Sequence, residues 1–114
     1  MDAGPQPAAA ARDIADVPAV EVIGAAAVHL MSAAAVHLGL AEDLPDHRDL
    51  DEARALIDAL AGLVTGAAPH LGHHHAAPLR DGLRSLQLGF REESAVPDPP
   101  GDGPGERFTG AVRA

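Results

Sequence analysis

The stretch Val20 to Leu40, VEVIGAAAVHLMSAAAVHLGL, carries one charge, Glu21, and repeats AAAVHL at 25–30 and 33–38. Laid on a helix at about 100° per residue, Val20, Ile23, Ala27, Leu30, Ala34 and Leu38 form one stripe, with Met31 at its margin. The opposite side holds Glu21 and Ser32 but also Ala25, Val28 and Val36, so most of the circumference is apolar. Such a helix is central to a fold, buried in a membrane, or shared with a second subunit. The third option predicts a homodimer joined along Val20, Ile23, Ala27, Leu30, Met31, Ala34 and Leu38.

Val22 to Ala41 is 20 residues without Asp, Glu, Lys or Arg, long enough to cross a hydrocarbon layer. Seven of these residues are Ala and two are His. No Trp or Tyr marks an interface and no basic cluster flanks either end. A genuine span is richer in Leu, Ile and Phe, so the expectation is a protein-buried helix and no membrane association. The start, MDAGPQPAAAARD, lacks a basic segment followed by a hydrophobic one, which makes the cytoplasm the expected compartment.

With 114 residues and low-complexity ends, about 75 residues are left to build a core, near the lower limit for self-sufficiency. Cysteine is absent, so disulfides and thiolate metal sites are excluded, and oligomerisation is the remaining way to reinforce a small core. A formal charge of -9, with eight Arg and no Lys, argues against DNA or general nucleic-acid binding, which needs surplus cations to neutralise phosphate.

The pattern predicts an all-α fold of three helices, about 17–40, 50–66 and 76–93, in one domain over 17–94, with a disordered arm at 1–16 and a tail at 95–114. Asp16 is the expected cap of the first helix, with Pro18 in its first turn. Gly39 supplies a C-terminal stop and Pro45 blocks continuation. Asp49 and Glu52, three apart, make an Asp version of the capping box. From there Leu50, Ala53, Leu56, Ile57, Leu60, Leu63 and Val64 share one face. Gly66 and Pro69 are expected to end the second helix, and GAAPHLGHHH (66–75) to be a loop. In the third helix Leu79, Leu83, Leu86 and Phe90 form a stripe, and Gly82 and Gly89 open room for a neighbouring backbone, the first helix being the natural partner. Residues 95–114 hold four Pro and four Gly and are expected to hang free, with Phe108 as the single apolar residue able to dock.

Three polar groups are candidate sites. His70, His73, His74 and His75 are imidazoles of the kind that bind zinc, nickel or copper. Neighbouring side chains in a loop converge poorly, so a polar loop is the preferred expectation and a metal-binding protein the alternative. His29 and His37 are about 80° apart on the helical wheel and form no ligand pair. His37 fits a hydrogen-bonded interior histidine. Arg80, Arg84 and Arg91, with Gln87, line one strip of the third helix, suited to an acidic partner or an RNA phosphate, or else to pairing with the chain's own surplus of acids, from the 42–52 loop or another subunit. Ser32, Ser85 and Ser94 lie in no nucleophile motif, no Gly-rich loop follows a strand, and no carboxylate pair has a recognisable spacing. The expectation is a protein that is not an enzyme and needs no cofactor.

PAVEVIGAAAVHLMSAAAVHLGL, DLDEARALIDALAGLV, HHAAPLRDGLRSLQLGFREES and the closing GPGERFTG occur in this order. Together they resemble the bacterial family of domain of unknown function 1844, in its high-GC Gram-positive form, over about Val17 to Gly110. The resemblance implies a small, all-helical, cytoplasmic protein with no catalytic residues to carry over. Genes of this family often lie near those for translation initiation factor three and two large-subunit ribosomal proteins, which suggests a ribosome-associated protein partner.

Overall fold

The computed structural model describes residues 14–113, and every regular element in it is helical. Two long runs, α1 (Ala19–His37) and α2 (Leu50–Glu93), are followed by a single turn, α3 (Glu106–Thr109). A 3₁₀ turn, Pro45–His47, sits between the long runs. Both long runs are long and apolar enough, by length and composition, to cross a membrane. Of the arm expected at 1–16, residues 1–13 lie outside the described part; 14–16 begin an exposed turn closed by the Val17 N–H on the Ile14 carbonyl.

Pro18, not Asp16, precedes the first helical residue of α1, and its extended backbone (ψ 146°) turns the chain into the helix. The other end follows the glycine rule. Gly39 takes φ +85°, its N–H donates to Val36 and that of Leu40 to Ala35, both at 3.0 Å, the paired bonds that satisfy the last carbonyls of a helix. At the start of α2 the Asp49 carboxylate accepts from the Asp51 and Glu52 N–H groups. The reciprocal half of the capping box is unused, because the Asp49 N–H donates to the carbonyl of His37 at 2.8 Å. The His37 ring in turn bonds the His47 carbonyl at 2.8 Å, so this histidine ties the end of α1 to the 3₁₀ turn.

The expected loop at 66–75 is absent. The helix runs through Gly66 and Pro69 and breaks at one residue, Gly72 (φ +74°, ψ 162°), after which it resumes. Proline deletes one helical bond without forcing a loop; the left-handed glycine three residues on makes the turn. The two arms, 50–71 and 73–93, double back on each other. The Arg54 guanidinium lies 4.8 Å from the centre of the Phe90 ring, and Arg48 pairs with Glu93 at the same end. What was expected as three separate helices is therefore two long runs, the second bent on itself.

Ala53, Ile57, Leu60 and Val64 from the first arm, and Leu79, Leu83, Leu86 and Phe90 from the second, are buried as their stripes predict. Ala27, Ala34 and Leu38 of α1 close the core. Burying each of the Val, Leu, Ile and Phe side chains stabilises the fold by about 1.5–3 kcal/mol, before chain entropy is set against it. Gly82 lies under the Met31 side chain and Gly89 under that of Leu38, so the second arm does approach α1, running parallel to it. Met31 and Leu38, rather than the alanines, fill the space the glycines leave.

Residues 95–113 do not hang free. Asp98 pairs with Arg54 at 2.9 Å, and the Arg91 guanidinium donates to the Asp98 carbonyl. Glu106, only 7% exposed, accepts backbone N–H groups of Gly101, Gly103 and Val112 and so folds the segment around its own carboxylate. Buried Gln87 donates to the Pro104 carbonyl and the Thr109 hydroxyl, and the Phe108 ring covers Gly62. On the second arm, Gly82 and Gly89 face α1 while Arg84, Gln87 and Arg91 face this segment. By helical phase these are nearly opposite sides, so α1 and the C-terminal segment lie on the two faces of the α2 hairpin.

Candidate functional site

Between the arms of α2 and the docked segment lies a groove of about 610 Å³. Its apolar lining comes from Val64 of the first arm, Leu83 of the second, and Phe108 and Val112 of the C-terminal segment, with Thr65, Gln87 and Thr109 among them. Its edge is cationic, with Arg80 and Arg84 one turn apart on the second arm and Arg113 from the end of the segment. The Arg84 guanidinium donates to the Arg113 carbonyl, which joins the two walls.

Three ion pairs engage Arg48, Arg54 and Arg107 with Glu93, Asp98 and Asp58. Among the described residues no carboxylate lies in ion-pair range of Arg80, Arg84 or Arg113. The acids of 42–52, the expected internal partners of this strip, do not reach it. Arg91, on the same helical strip, belongs elsewhere: its side chain donates to Asp98 and lines a smaller neighbouring pocket with Pro100 and Val112. Two of the three expected partner-binding arginines are thus brought together, and the segment expected to be a tail adds a third.

The C-terminal wall is held by Asp58. Its carboxylate accepts from the Gly105 N–H at 3.2 Å and from Arg107 at 3.2 and 2.6 Å. The hydrogen bond from Arg107 is the main cause that holds the Asp58 carboxyl below its usual value; burial opposes it, and Gly105 and Arg54 act in the same sense as Arg107. Sequence reasoning places Asp58 on the polar face of its helix and stops there. The signal available in hindsight is the turn GPGERFTG, whose glycines and acid together build a compact wall.

The four histidines of the run do not converge on one point. His70 lies in the last turn of the first arm, His73, His74 and His75 in the first turn of the second, and all four are exposed. Consecutive helical side chains diverge by about 100°, and the His74 and His75 rings meet edge to face at 5.4 Å. Among the described residues no group of three or more His, Cys, Asp or Glu is placed to hold an ion.

The stripe expected to join two subunits is spent within the chain. Ala27, Ala34 and Leu38 are buried against α2, and Val20, Ile23, Leu30 and Met31 pack against the same core. What stays open is the outer side of α1: Val22 is 44% and Val28 55% exposed, and Ala25, Ala26, His29 and Ser32 are exposed beside them.

Comparison with protein families matches residues 19–92 to the family described as domain of unknown function (DUF1844). The match takes in α1 and nearly all of α2 and ends before the C-terminal wall of the groove, so GPGERFTG falls outside it. No curated protein matches the chain, and no solved structure does.

Proposed function

The chain belongs to the DUF1844 family, and from that premise we propose that it is a cytoplasmic, non-enzymatic interaction module, a homodimer that presents a docking groove to a protein partner. The observation that carries this reading is the outer side of α1. With the inner stripe already buried in cis, a row of Val and Ala still faces outward over a helix with no charge after Glu21. Apolar rows of this extent on a small chain favour a protein cover. A second copy supplies one by laying the same face against itself, as a two-fold interface requires. The α1 face and the groove are on opposite sides of the hairpin, so such a dimer keeps both grooves outward. A ribosome-bound partner fits the family resemblance.

Sedimentation equilibrium of the full chain is expected to give twice the chain mass, and Val28→Glu to give a monomer with unchanged helicity. A wild-type chain that sediments as a monomer at micromolar concentration removes the dimer. Cosedimentation of the wild type with lipid vesicles, abolished by Val28→Glu, would assign the face to a membrane surface instead.

A further inference from the structure

We propose that the groove is a binding site for an extended peptide segment of a partner protein, one in which acidic side chains flank an aliphatic one. The inference rests on the reading of the chain as an interaction module, but not on its being a dimer.

The charge balance is the first ground. In a chain of formal charge -9 an arginine should find a carboxylate easily, and among the described residues three of them do. Arg80, Arg84 and Arg113 instead converge on one concavity with no carboxylate in range among the described residues. A local cationic rim on an acidic molecule is complementary to anions and selects against the chain's own basic or neutral surfaces. Arginine also matches the carboxylate better than lysine would, since its planar fork gives two parallel hydrogen bonds to one acid.

The apolar lining narrows the class further. Phe108, Ala111 and Val112 offer the accessible apolar surface beside the guanidinium groups, so the occupant has to pair an apolar group with its negative charges. A volume of about 610 Å³ is within the usual range of specific pockets and accommodates a side chain with its flanking backbone. RNA suits the groove poorly. Single strands are held by stacking bases on aromatic faces, and the one aromatic here, Phe108, has the Arg107 guanidinium 4.4 Å from its centre and its edge against Gly62. The walls are also fixed in advance: Asp58, Gln87 and Arg84 each hold the C-terminal segment, so binding costs little ordering.

The test selects from a random peptide display library on the immobilised full-length chain. Recovered sequences are expected to be enriched in Asp or Glu beside Leu, Ile or Val. A synthetic peptide of that consensus, followed by fluorescence anisotropy, should bind more weakly as salt is raised. It should lose at least about tenfold in affinity when Arg80 and Arg84 are both changed to Glu. Arg80→Gln with Arg84→Gln, checked for native helicity, gives the same answer if the charge reversal perturbs folding. Selected peptides without acidic enrichment, or peptides that bind both variants as tightly as the wild type, overturn the proposal. So does a single-stranded RNA oligonucleotide whose binding, rather than the peptide's, is lost with Arg80 and Arg84. Because the readout is monomer-level binding, failure here leaves the sedimentation result standing, and the converse also holds.

Discussion

Gly105 stands so close to Ala61 that a Cβ built on the glycine would lie 2.7 Å from the alanine's own Cβ. Its φ of +76° adds a conformation that L side chains rarely adopt, and its N–H is the one that donates to Asp58. Backbone therefore meets helix at this point, the closest approach that the glycines of the C-terminal segment make to the hairpin. Gly105→Ala is expected to cost about 2–4 kcal/mol, the sum of left-handed strain and a clash with rigid neighbours. Gly101→Ala has similar strain (φ +91°) with nothing within 4 Å, so it should cost only about 1 kcal/mol. Urea denaturation measures both, and limited proteolysis at 95–113 should speed up for the first variant far more than for the second. Equal effects would mean that the contact with Ala61 is not what seats the segment.

Asp58 gives the docked segment a pH dependence of known sign. Its carboxyl titrates below the ordinary carboxylate value in the folded chain, chiefly through the hydrogen bond from Arg107. A depressed folded value means that ionised Asp58 favours folding above the unfolded value of about 4, and that this contribution is lost as pH falls through the folded value. Protection of the Gly105 amide, taken relative to its intrinsic exchange rate, should hold from neutral pH down through the ordinary carboxylate range and fall only below it, where Asp58 takes up its proton. In Asp58→Asn it should be weaker throughout and lack that acid step. Arg107 is largely exposed, so the effect belongs to the segment and not to global stability. An Asp58 titration at or above the ordinary value would contradict the geometry.

The parts of the fold that could be read from the chain were those written in local pattern. Asp49 caps where the acids promise a helix start, Gly39 stops α1, and the four-three-four spacing of Leu79, Leu83, Leu86 and Phe90 is the buried face of the second arm. Pro69 and Gly66 were misleading because each weakens a helix without ending it, whereas Gly72 ends it by taking a backbone angle that composition does not disclose. The C-terminal segment was missed for a different reason. Its affinity for the core is distributed over Asp58, Gln87, Arg54 and Gly62, up to about fifty residues away in sequence, and no periodicity records such partners. The same distance hid the groove: the strip Arg80 and Arg84 was visible on its helix, but its second wall was not.

Two glycines of α2 separate helix propensity from backbone need. Gly82 is helical, and a Cβ there would meet the Met31 side chain, at 2.9 Å from Cε and 3.0 Å from Sδ, the flexible end of an unbranched residue. Gly82→Ala should therefore be near neutral, a gain of about 1 kcal/mol in helix propensity offset by a small shift of Met31. Gly72 has open space around it but a backbone at φ +74° and ψ 162°, a region populated almost only by glycine. Gly72→Ala is expected to cost about 1–3 kcal/mol and to loosen the return of the second arm onto the first. Chemical denaturation ranks the two, and a reversed order would mean that the bend at Gly72 is not fixed by its backbone.

The two sides of α1 should respond oppositely to the same change. Ala34 is fully buried against α2, where a larger side chain forces the α1 backbone away; Ala34→Leu is expected to destabilise the chain by about 1–3 kcal/mol. Ala26, on the outer side, is exposed, and Ala26→Leu meets nothing among the described residues. Leucine and alanine have similar helix propensity, so a single chain should keep its stability to within about 0.5 kcal/mol. If a second copy covers that face through closely fitted small residues, the added bulk holds the helices apart and weakens the dimer without unfolding either chain. Sedimentation across a concentration series, run beside urea denaturation, distinguishes these results. A large stability loss from Ala26→Leu with no change in association would mean that the outer face packs on the chain itself. An unaltered Ala34→Leu protein would remove the buried seam between α1 and α2 on which the orientation of both faces depends.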